Sequence, residues 1–283
     1  MQARSISVLG LAMLLPLLCG LPWFASQGLT EDTVSSNDVR SYLLAGLPHP
    51  AQLFPTCFSS AMPVVALTYE WRLGLKGVLS FFALAQLSEC NREYNRGLPT
   101  SHADLFIWID VLFIDQLSSD VAALLVQSQR VYELARFHAA LATLTLLSRA
   151  WCLFELGVRH NVGKETLFLT SPLYPIGGLF QQLAGEIAGG TFGRFFERME
   201  AFAEGDKLLI RSKIIEVHHT PGDFDRKLCL SIIAVTSKNA PASPLPAPTA
   251  ASGAFAAQVR CCCCCCASGL LRLRFLRRDL PSA

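Results

Sequence analysis

The segment Phe106-Ile-Trp-Ile-Asp-Val-Leu-Phe-Ile-Asp-Gln116 carries the strongest strand signal in this chain. It lies in a continuous apolar run, Asp104–Asp115, that is rich in aromatic and β-branched residues. Such a run predicts a strand that is buried on both faces, as in parallel sheets. Two acids and an amide stand at the end of this run, at Asp110, Asp115 and Gln116. Such polar side chains are unusual at the end of a buried strand unless they form hydrogen bonds or bind a ligand. They either cap the next helix and fix its loop or contact a ligand.

Segments with strand and helix patterns alternate around this run. The predicted strands are Pro63–Tyr69, Asp104–Asp115 and Thr166–Leu169. The predicted helices are Leu75–Arg96, a helix capped by Ser119 or Asp120 that runs to about His138, and Arg149–Asn161. The stretch Ala139–Leu147 fits either a strand or more helix. Strands that alternate with helices predict an α/β fold with a parallel sheet between two helical layers. Ligands of such sheets gather beyond the carboxyl ends of the strands.

The composition divides the chain into four zones. Residues 1–62 are apolar and then polar, residues 63–170 form the predicted α/β core, and residues 171–236 add helices that complete the domain. These helices are expected at Gly178–Ala188 and Asp206–Val217, followed by a helix or strand at Phe224–Val235. Residues 237–283 are rich in Pro and Ala, then in Cys, and finally basic, which predicts a disordered low-complexity tail.

Both ends of the chain carry features of membrane association. Ile6–Phe24 is an apolar stretch preceded by Arg4, which matches a secretory signal or an anchor. Its shortness for a membrane span, together with Pro16 and Pro22, equally suits a plain apolar extension. Cys261–Cys266 and the basic segment after it fit either a palmitoylated anchor or low-complexity sequence. We expect a cytoplasmic protein, with membrane association through the terminal segments and secretion as open alternatives.

Charge and cysteine placement argue against two kinds of site. The net charge of +2 at pH 7 is close to neutral and gives no electrostatic argument for a nucleic-acid partner, which would require a clustered basic face. Six of the eleven cysteines are consecutive and the others are scattered singly, without the paired spacing of zinc ligands. No metal site is therefore expected, and the single cysteines are interpreted as buried or reduced thiols.

The segment Leu147-Ser-Arg-Ala-Trp-Cys-Leu-Phe-Glu-Leu156 holds the second group of candidate residues. On a helix, Trp151 and Glu155 are four residues apart and share one face. Burial beside the indole would raise the pKa of the Glu155 carboxyl, and the nearby Arg149 would lower it. The alternative is an amphipathic helix whose aromatic and aliphatic residues form core while Glu155 is solvated or salt-bridged.

Three segments resemble the superfamily of TIR and heterokaryon-incompatibility domains. Phe106–Gln116 is similar to the W-I-D-x-x-C-I-D/N-Q segment of incompatibility domains, with Phe113 in place of the usual Cys. Ser148-Arg-Ala-Trp-Cys-Leu-Phe-Glu-Leu156 resembles the S-x-W-C-L-x-E-L box of plant-type TIR domains, and its overall pattern is similar to algal and protist TIR-like proteins. Val64-Val-Ala-Leu-Thr-Tyr-Glu-Trp71 resembles their first strand, with Thr68 in place of Ser. The resemblance implies a flavodoxin-like parallel sheet flanked by helices, with extra C-terminal helices.

The resemblance also implies a reaction. In TIR enzymes the Glu of this box is the catalytic acid that cleaves the nicotinamide–ribose bond of NAD, and only Glu155 occupies that position here. NAD would then be a substrate, and no cofactor would be required. The candidate substrate-binding residues are Tyr69, Trp71, Asp110, Asp115, Gln116, Arg149, Trp151 and Cys152. A Rossmann cofactor site is not expected, because the chain lacks a Gly-x-Gly-x-x-Gly loop.

Many TIR-like domains act only as assembly modules, which leaves a second hypothesis. In that case the chain binds copies of itself or other TIR-like domains in stress or immune signalling without catalysis. The two hypotheses differ in where they place one carboxyl group. An enzyme requires Glu155 to line an accessible pocket near Tyr69 or Trp71, whereas an assembly module has Glu155 packed or salt-bridged.

Overall fold

The computed structural model describes residues 4–87, 105–143, 145–169, 182–183, 185–187, 189–238, 260–261 and 271–272. The α/β class predicted from the sequence is confirmed. The strands are β1 Ser5–Ser7, β2 Phe58–Ser59, β3 Val65–Thr68, β4 Phe106–Trp108, β5 Phe137–Leu141, β6 Leu167–Leu169, β7 Arg260–Cys261 and β8 Leu271–Arg272. The helices are α1 Val8–Cys19, α2 Pro22–Ser26, α3 Ser36–Leu44, α4 Pro50–Leu53, α5 Leu75–Leu87, α6 Asp110–Phe113, α7 Val121–Leu134, α8 Ala150–Asn161, α9 Glu204–His218 and α10 Pro221–Lys238.

Six strands form the main sheet in the order β2-β1-β4-β3-β5-β6. The strands β4, β3, β5 and β6 are parallel, and β1 and β2 extend the sheet as antiparallel strands beyond β4. Numbered by their order in the chain, the parallel strands run 2-1-3-4, which is the flavodoxin-like order. In this order the connections diverge at the neighbouring strands β3 and β5, so a crevice is expected beyond their carboxyl ends. The strands β7 and β8 form a separate antiparallel pair.

The sheet separates two apolar layers, because successive side chains of a strand point to opposite faces. On β3, Val65 and Leu67 belong to the core layer that contains α1 and α5. Ala66 belongs to the other layer, which contains α7, α8, α9 and α10. The next residue that points into this second layer is Thr68, which is fully buried and polar. The sheet therefore presents a hydroxyl group to the helices that cover it.

The N-terminal segment is part of this fold. In β1, Ile6 pairs with Ile107 of β4, and the next helix, α1, packs on the sheet with Leu11, Leu14 and Leu18 fully buried. Gly10 lets α1 approach the carbonyl group of Cys57, where a Cβ atom would clash. In the structure, the apolar run of the predicted N-terminal extension therefore buries one helix face in the core around the sheet. No helix in the described part of the chain has both the length and the apolarity to cross a membrane.

The structure also corrects the boundaries of one predicted strand and decides the ambiguous stretch. The run Asp104–Asp115 forms a strand only at Phe106–Trp108 and then turns into α6, because the Asp110 carboxylate accepts a hydrogen bond from the backbone N–H of Val111. The ambiguous stretch Ala139–Leu147 begins inside strand β5 and ends in a short 3₁₀ turn.

The C-terminal predictions have mixed outcomes. The helix predicted at Asp206–Val217 is confirmed as α9, and Phe224–Val235 is helical within α10. Most of the helix predicted at Gly178–Ala188 lies outside the described residues. The same holds for the end of the helix predicted at Leu75–Arg96 and for nearly all of the tail after residue 238.

The buried Arg159 holds α8 against the end of α7. Its guanidinium donates hydrogen bonds to the carbonyl oxygens of Tyr132 at 3.0 Å, Ala135 at 2.7 Å and Arg136 at 3.0 Å. Carbonyl groups at a helix C-terminus lack partners within the helix and favour a cation. Burial lowers the pKa of Arg159 to about 10, so the side chain stays charged at neutral pH. Helix α8 ends just before Gly163, whose φ of 66° suits glycine.

The packing of α1 can be tested with two leucines of the same helix. Leu14 is fully buried and Leu17 is exposed. We expect Leu14→Ala to lower the free energy of unfolding by about 2–5 kcal/mol, because it leaves a cavity in the core. Leu17→Ala is the matched control and should change it by less than about 0.5 kcal/mol. Urea denaturation of both variants measures the difference, and equal effects would show that α1 does not pack as described.

Candidate functional site

Glu155 lies inside the domain, at the carboxyl end of β3. Its side chain is only 3% exposed, and Oε2 accepts a hydrogen bond of 2.6 Å from Oγ1 of Thr68. Oγ1 of Thr68 lies 2.7 Å from Nε2 of His138, and Nδ1 of His138 lies 2.8 Å from Oγ1 of Thr166. These four buried side chains form a continuous polar chain from α8 across β3 and β5 to the residue before β6. We call it the buried polar chain.

Burial favours the neutral forms of both ionisable groups in the buried polar chain. Burial and then the nearby charge of Asp110 raise the pKa of the Glu155 carboxyl well above its ordinary value. Burial and then the charge of Arg159 lower the pKa of the His138 imidazole well below its ordinary value. A protonated carboxyl group and a neutral imidazole can be buried at far lower cost than the two ions.

Tyr132 lies beside the Glu155 carboxyl. Its hydroxyl donates a hydrogen bond of 2.6 Å to the carbonyl oxygen of Leu67, and it also interacts with the Glu155 carboxyl. Burial and the charge of Asp110 outweigh the interactions with Thr68 and Tyr132, which favour the ionised carboxyl and lower the pKa of Glu155.

A second cluster joins the ends of β3 and β4 around Asp110. The Asp110 carboxylate accepts hydrogen bonds from Nε1 of Trp71 at 2.6 Å and from the hydroxyl of Tyr69 at 3.2 Å. The Tyr69 hydroxyl also lies 2.6 Å from Oγ of Ser36. Burial raises the pKa of Asp110 to about 6, although the hydrogen bonds from Trp71 and Val111 oppose this rise. The predicted candidates Tyr69, Trp71 and Asp110 are therefore brought together, and their polar groups satisfy one another.

A third cluster, centred on Glu70, was not predicted from the sequence. The buried Glu70 carboxylate accepts hydrogen bonds from the hydroxyls of Thr143 and Thr145 and from Nε of Arg72 at 2.8 Å. Burial opposes its ionisation, but these hydrogen bonds hold the pKa of Glu70 below its ordinary value. The cluster links the segments that follow β3 and β5, where the connections of the sheet diverge. An acid directly after a buried strand was the available signal, as it was for Asp110.

The remaining predicted residues lie at the surface or in the core of the α8 region. Asp115 and Gln116 occupy a turn in which their side chains bond to nearby backbone groups, which is the loop-fixing alternative. Arg149 precedes α8, is partly exposed and lies 3.9 Å from the Glu200 carboxylate. Trp151 is half-buried, whereas Cys152 is buried with its thiol 3.5 Å from the carbonyl oxygen of Tyr69.

The thiol of Cys152 is a poor nucleophile. Burial, followed by the charges of Glu155, Asp110 and Glu70, raises its pKa well above the ordinary value. A thiol that stays protonated cannot attack a substrate effectively, since the thiolate is the reactive form. The shared influence of three carboxyl groups shows that the end of β3 gathers Glu155, Asp110 and Glu70 around Tyr69 and Cys152.

No protein-family model, curated protein or solved structure matches this chain. Within the described ranges, no group of three or more His, Cys, Asp or Glu side chains could hold a metal ion. The arrangement at the end of β3 is a set of buried, hydrogen-bonded polar groups whose pKa values are raised for Glu155 and Asp110 and lowered for Glu70.

The protonation of Glu155 predicts a pH-dependent effect of Glu155→Gln. A group whose pKa is raised in the folded state stabilises the fold fully below its unfolded pKa, and this contribution is lost as the pH rises. The variant keeps the shape of the side chain but cannot ionise. As the pH rises from 5 to 8, the parent loses this contribution and the variant does not. The free energy of unfolding of Glu155→Gln should therefore rise relative to that of the parent by up to about 1.4 kcal/mol per pH unit.

Urea unfolding of parent and variant over this pH range measures the difference directly. Taking the difference cancels the contributions of the histidines, which are common to both proteins. Asp110→Asn is a matched control. Its free energy of unfolding relative to the parent should stop rising above the Asp110 pKa of about 6. A difference for Glu155→Gln that does not change with pH would mean that Glu155 is not a raised-pKa group.

Proposed function

We propose that this chain is a TIR-like signalling domain that works by assembly with copies of itself or with other TIR-like domains. The observation that carries the proposal is the burial of Glu155, which is 3% exposed and bonded to Thr68. The resemblance of the Ser148–Leu156 box supplies the signalling class, and the flavodoxin-like strand order agrees with it.

The burial of Glu155 argues against its use as a catalytic acid. An acid that cleaves a glycosidic bond must reach the departing group or the ribose within hydrogen-bonding distance. Here Cys152 and Tyr69 lie beside Glu155 at the end of β3, and both are also buried. Releasing Glu155 to a substrate would break its bond with Thr68 and leave a buried hydroxyl with a weaker set of partners.

An exposed aromatic side chain beside the box supports assembly. Glu200 pairs with Ser148 and Ala150 through backbone hydrogen bonds of 2.7 and 2.8 Å, which places the following segment next to the start of α8. Two residues further on, Phe202 is 93% exposed. Aromatic residues with this exposure are costly in water and are enriched at protein interfaces.

NAD cleavage is the second candidate, and a different observation favours it. Arg72, Arg149, Trp71 and Trp151 all follow the carboxyl ends of β3 and β5, and each is exposed or half-buried. Guanidinium groups suit phosphates and indole rings suit a stacked base, so this edge has the groups that a dinucleotide requires. Catalysis there would need Glu155 to become accessible when the substrate binds.

Both candidates can be tested on the full-length protein. NAD consumption is measured for the parent and for Glu155→Gln, and the molecular mass is measured by sedimentation over a range of protein concentrations. We expect no NAD consumption by either protein and a mass that rises with concentration. NAD consumption by the parent that is lost in Glu155→Gln would replace the assembly proposal with catalysis.

A substitution at Phe202 identifies the surface used for assembly. Phe202→Ser should weaken self-association by roughly fivefold or more, because losing an aromatic anchor at an interface costs about 1 kcal/mol or more. Leu117→Ser is the matched control, since Leu117 is also an exposed apolar residue in a loop. Equal association of both variants and the parent would exclude the Phe202 surface, and a monomeric parent at all concentrations would contradict self-assembly.

A further inference from the structure

The outer face of α1 is apolar along its whole length. Leu9, Met13 and Leu17 are spaced four residues apart and form one stripe, in which they are 51%, 47% and 40% exposed. Ala12 and Pro16, which are also exposed, lie between them. The inner face of α1 is already buried in the core of the domain. A helix that is apolar all round is normally covered on every side, so this second face needs a cover of its own.

The apolar surface continues past the end of α1. Pro22 is exposed, and Leu21 and Trp23 are half-buried at the turn into α2 and in its first part. Residues 5–30 include no Asp, Glu, Lys, Arg or His. The surface is therefore uncharged as well as apolar over two consecutive helices.

We propose that the outer face of α1 docks on the surface of a lipid bilayer, with the helix lying flat. In this position Leu9, Met13 and Leu17 enter the boundary between headgroups and acyl chains, and the rest of the domain stays on the aqueous side. The helix does not cross the bilayer, since its inner face remains packed on the sheet. This inference is independent of the proposed assembly function.

The chemistry of this face fits lipid better than protein. A protein interface usually has a polar rim and about one hydrogen bond per 100–200 Å². The side chains from Val8 to Ala25 offer little for such bonds, because Cys19 and the indole of Trp23 are their only polar groups. Acyl chains require no hydrogen bonds, and the amphipathic ring of tryptophan favours the level of the headgroups.

The charged residues that flank the uncharged segment in the sequence suit the headgroup region. Arg4 is exposed just before β1, and its guanidinium lies 3.8 Å from the sulfur of Met62, another exposed apolar side chain. A cation at this place attracts anionic headgroups. The acids that follow α2 are Glu31 and Asp32, and Lys76 pairs with Asp32 at 2.5 Å. The charge of Asp32 is therefore partly compensated by Lys76.

Vesicle flotation of the full-length protein tests this proposal. The probes are vesicles of phosphatidylcholine and of phosphatidylcholine with a minor fraction of phosphatidylserine. The test variant combines Leu9→Gln, Met13→Gln and Leu17→Gln, and the matched control combines Val126→Gln, Leu134→Gln and Leu208→Gln. All six positions are exposed helical apolar residues, so neither variant disturbs the core. Thermal unfolding checks that both variants fold like the parent.

We expect the parent and the control to float with both kinds of vesicle, and more strongly when phosphatidylserine is present. The α1 variant should bind at least about tenfold more weakly, because three apolar side chains no longer enter the boundary region. Equal flotation of the parent and the α1 variant, or no flotation of the parent, would overturn the proposal. Without vesicles, an α1 variant that is monomeric where the parent is dimeric would show that a second copy covers this face instead.

Discussion

The hydrogen bond between Thr68 and Glu155 ties the most deeply buried helix to the centre of the sheet. Helix α8 is buried from Cys152 to Arg159, so its position is defined mainly by what it meets inside the protein. Apolar contacts have little directionality of their own. The bond of 2.6 Å to the last residue of β3 adds a directional contact between α8 and the sheet, beside the hydrogen bonds of Arg159 to the end of α7.

The same bond determines what the neighbouring polar groups can do. With Glu155 protonated, Thr68 can donate to it and still accept from the neutral His138. The whole buried polar chain is then satisfied without a buried charge, which is the condition under which polar groups in a core stabilise a fold. At the other end of α8, Arg159 stays charged because it is surrounded by carbonyl oxygens. In the protein interior, the partners of each group therefore determine whether its neutral or its charged form is favoured.

The sequence alone was sufficient for the fold class and for the helix that carries Glu155. Alternating apolar runs predicted a parallel sheet, and the spacing of Trp151 and Glu155 predicted a shared helix face. It could not show that Thr68, 87 residues earlier in the chain, would be the partner of Glu155. Periodicity reports which face of an element is apolar but not which distant residue meets it. For this reason a buried Glu155 and an exposed one were equally compatible with the pattern.

The N-terminal segment is a second case in which the sequence pattern did not determine the contacts of an element. A continuous apolar run is compatible with a signal, an anchor or a core helix, because hydropathy does not record what covers each face. In the structure, Ile6 pairs with Ile107 and Leu14 is buried, so this run forms a strand and a helix packed in the domain. Core packing accounts for only part of the apolar surface of α1, since Met13 on the same helix stays exposed. A selective pressure for core stability alone would favour polar residues there, so the apolarity of the outer face requires a second contact.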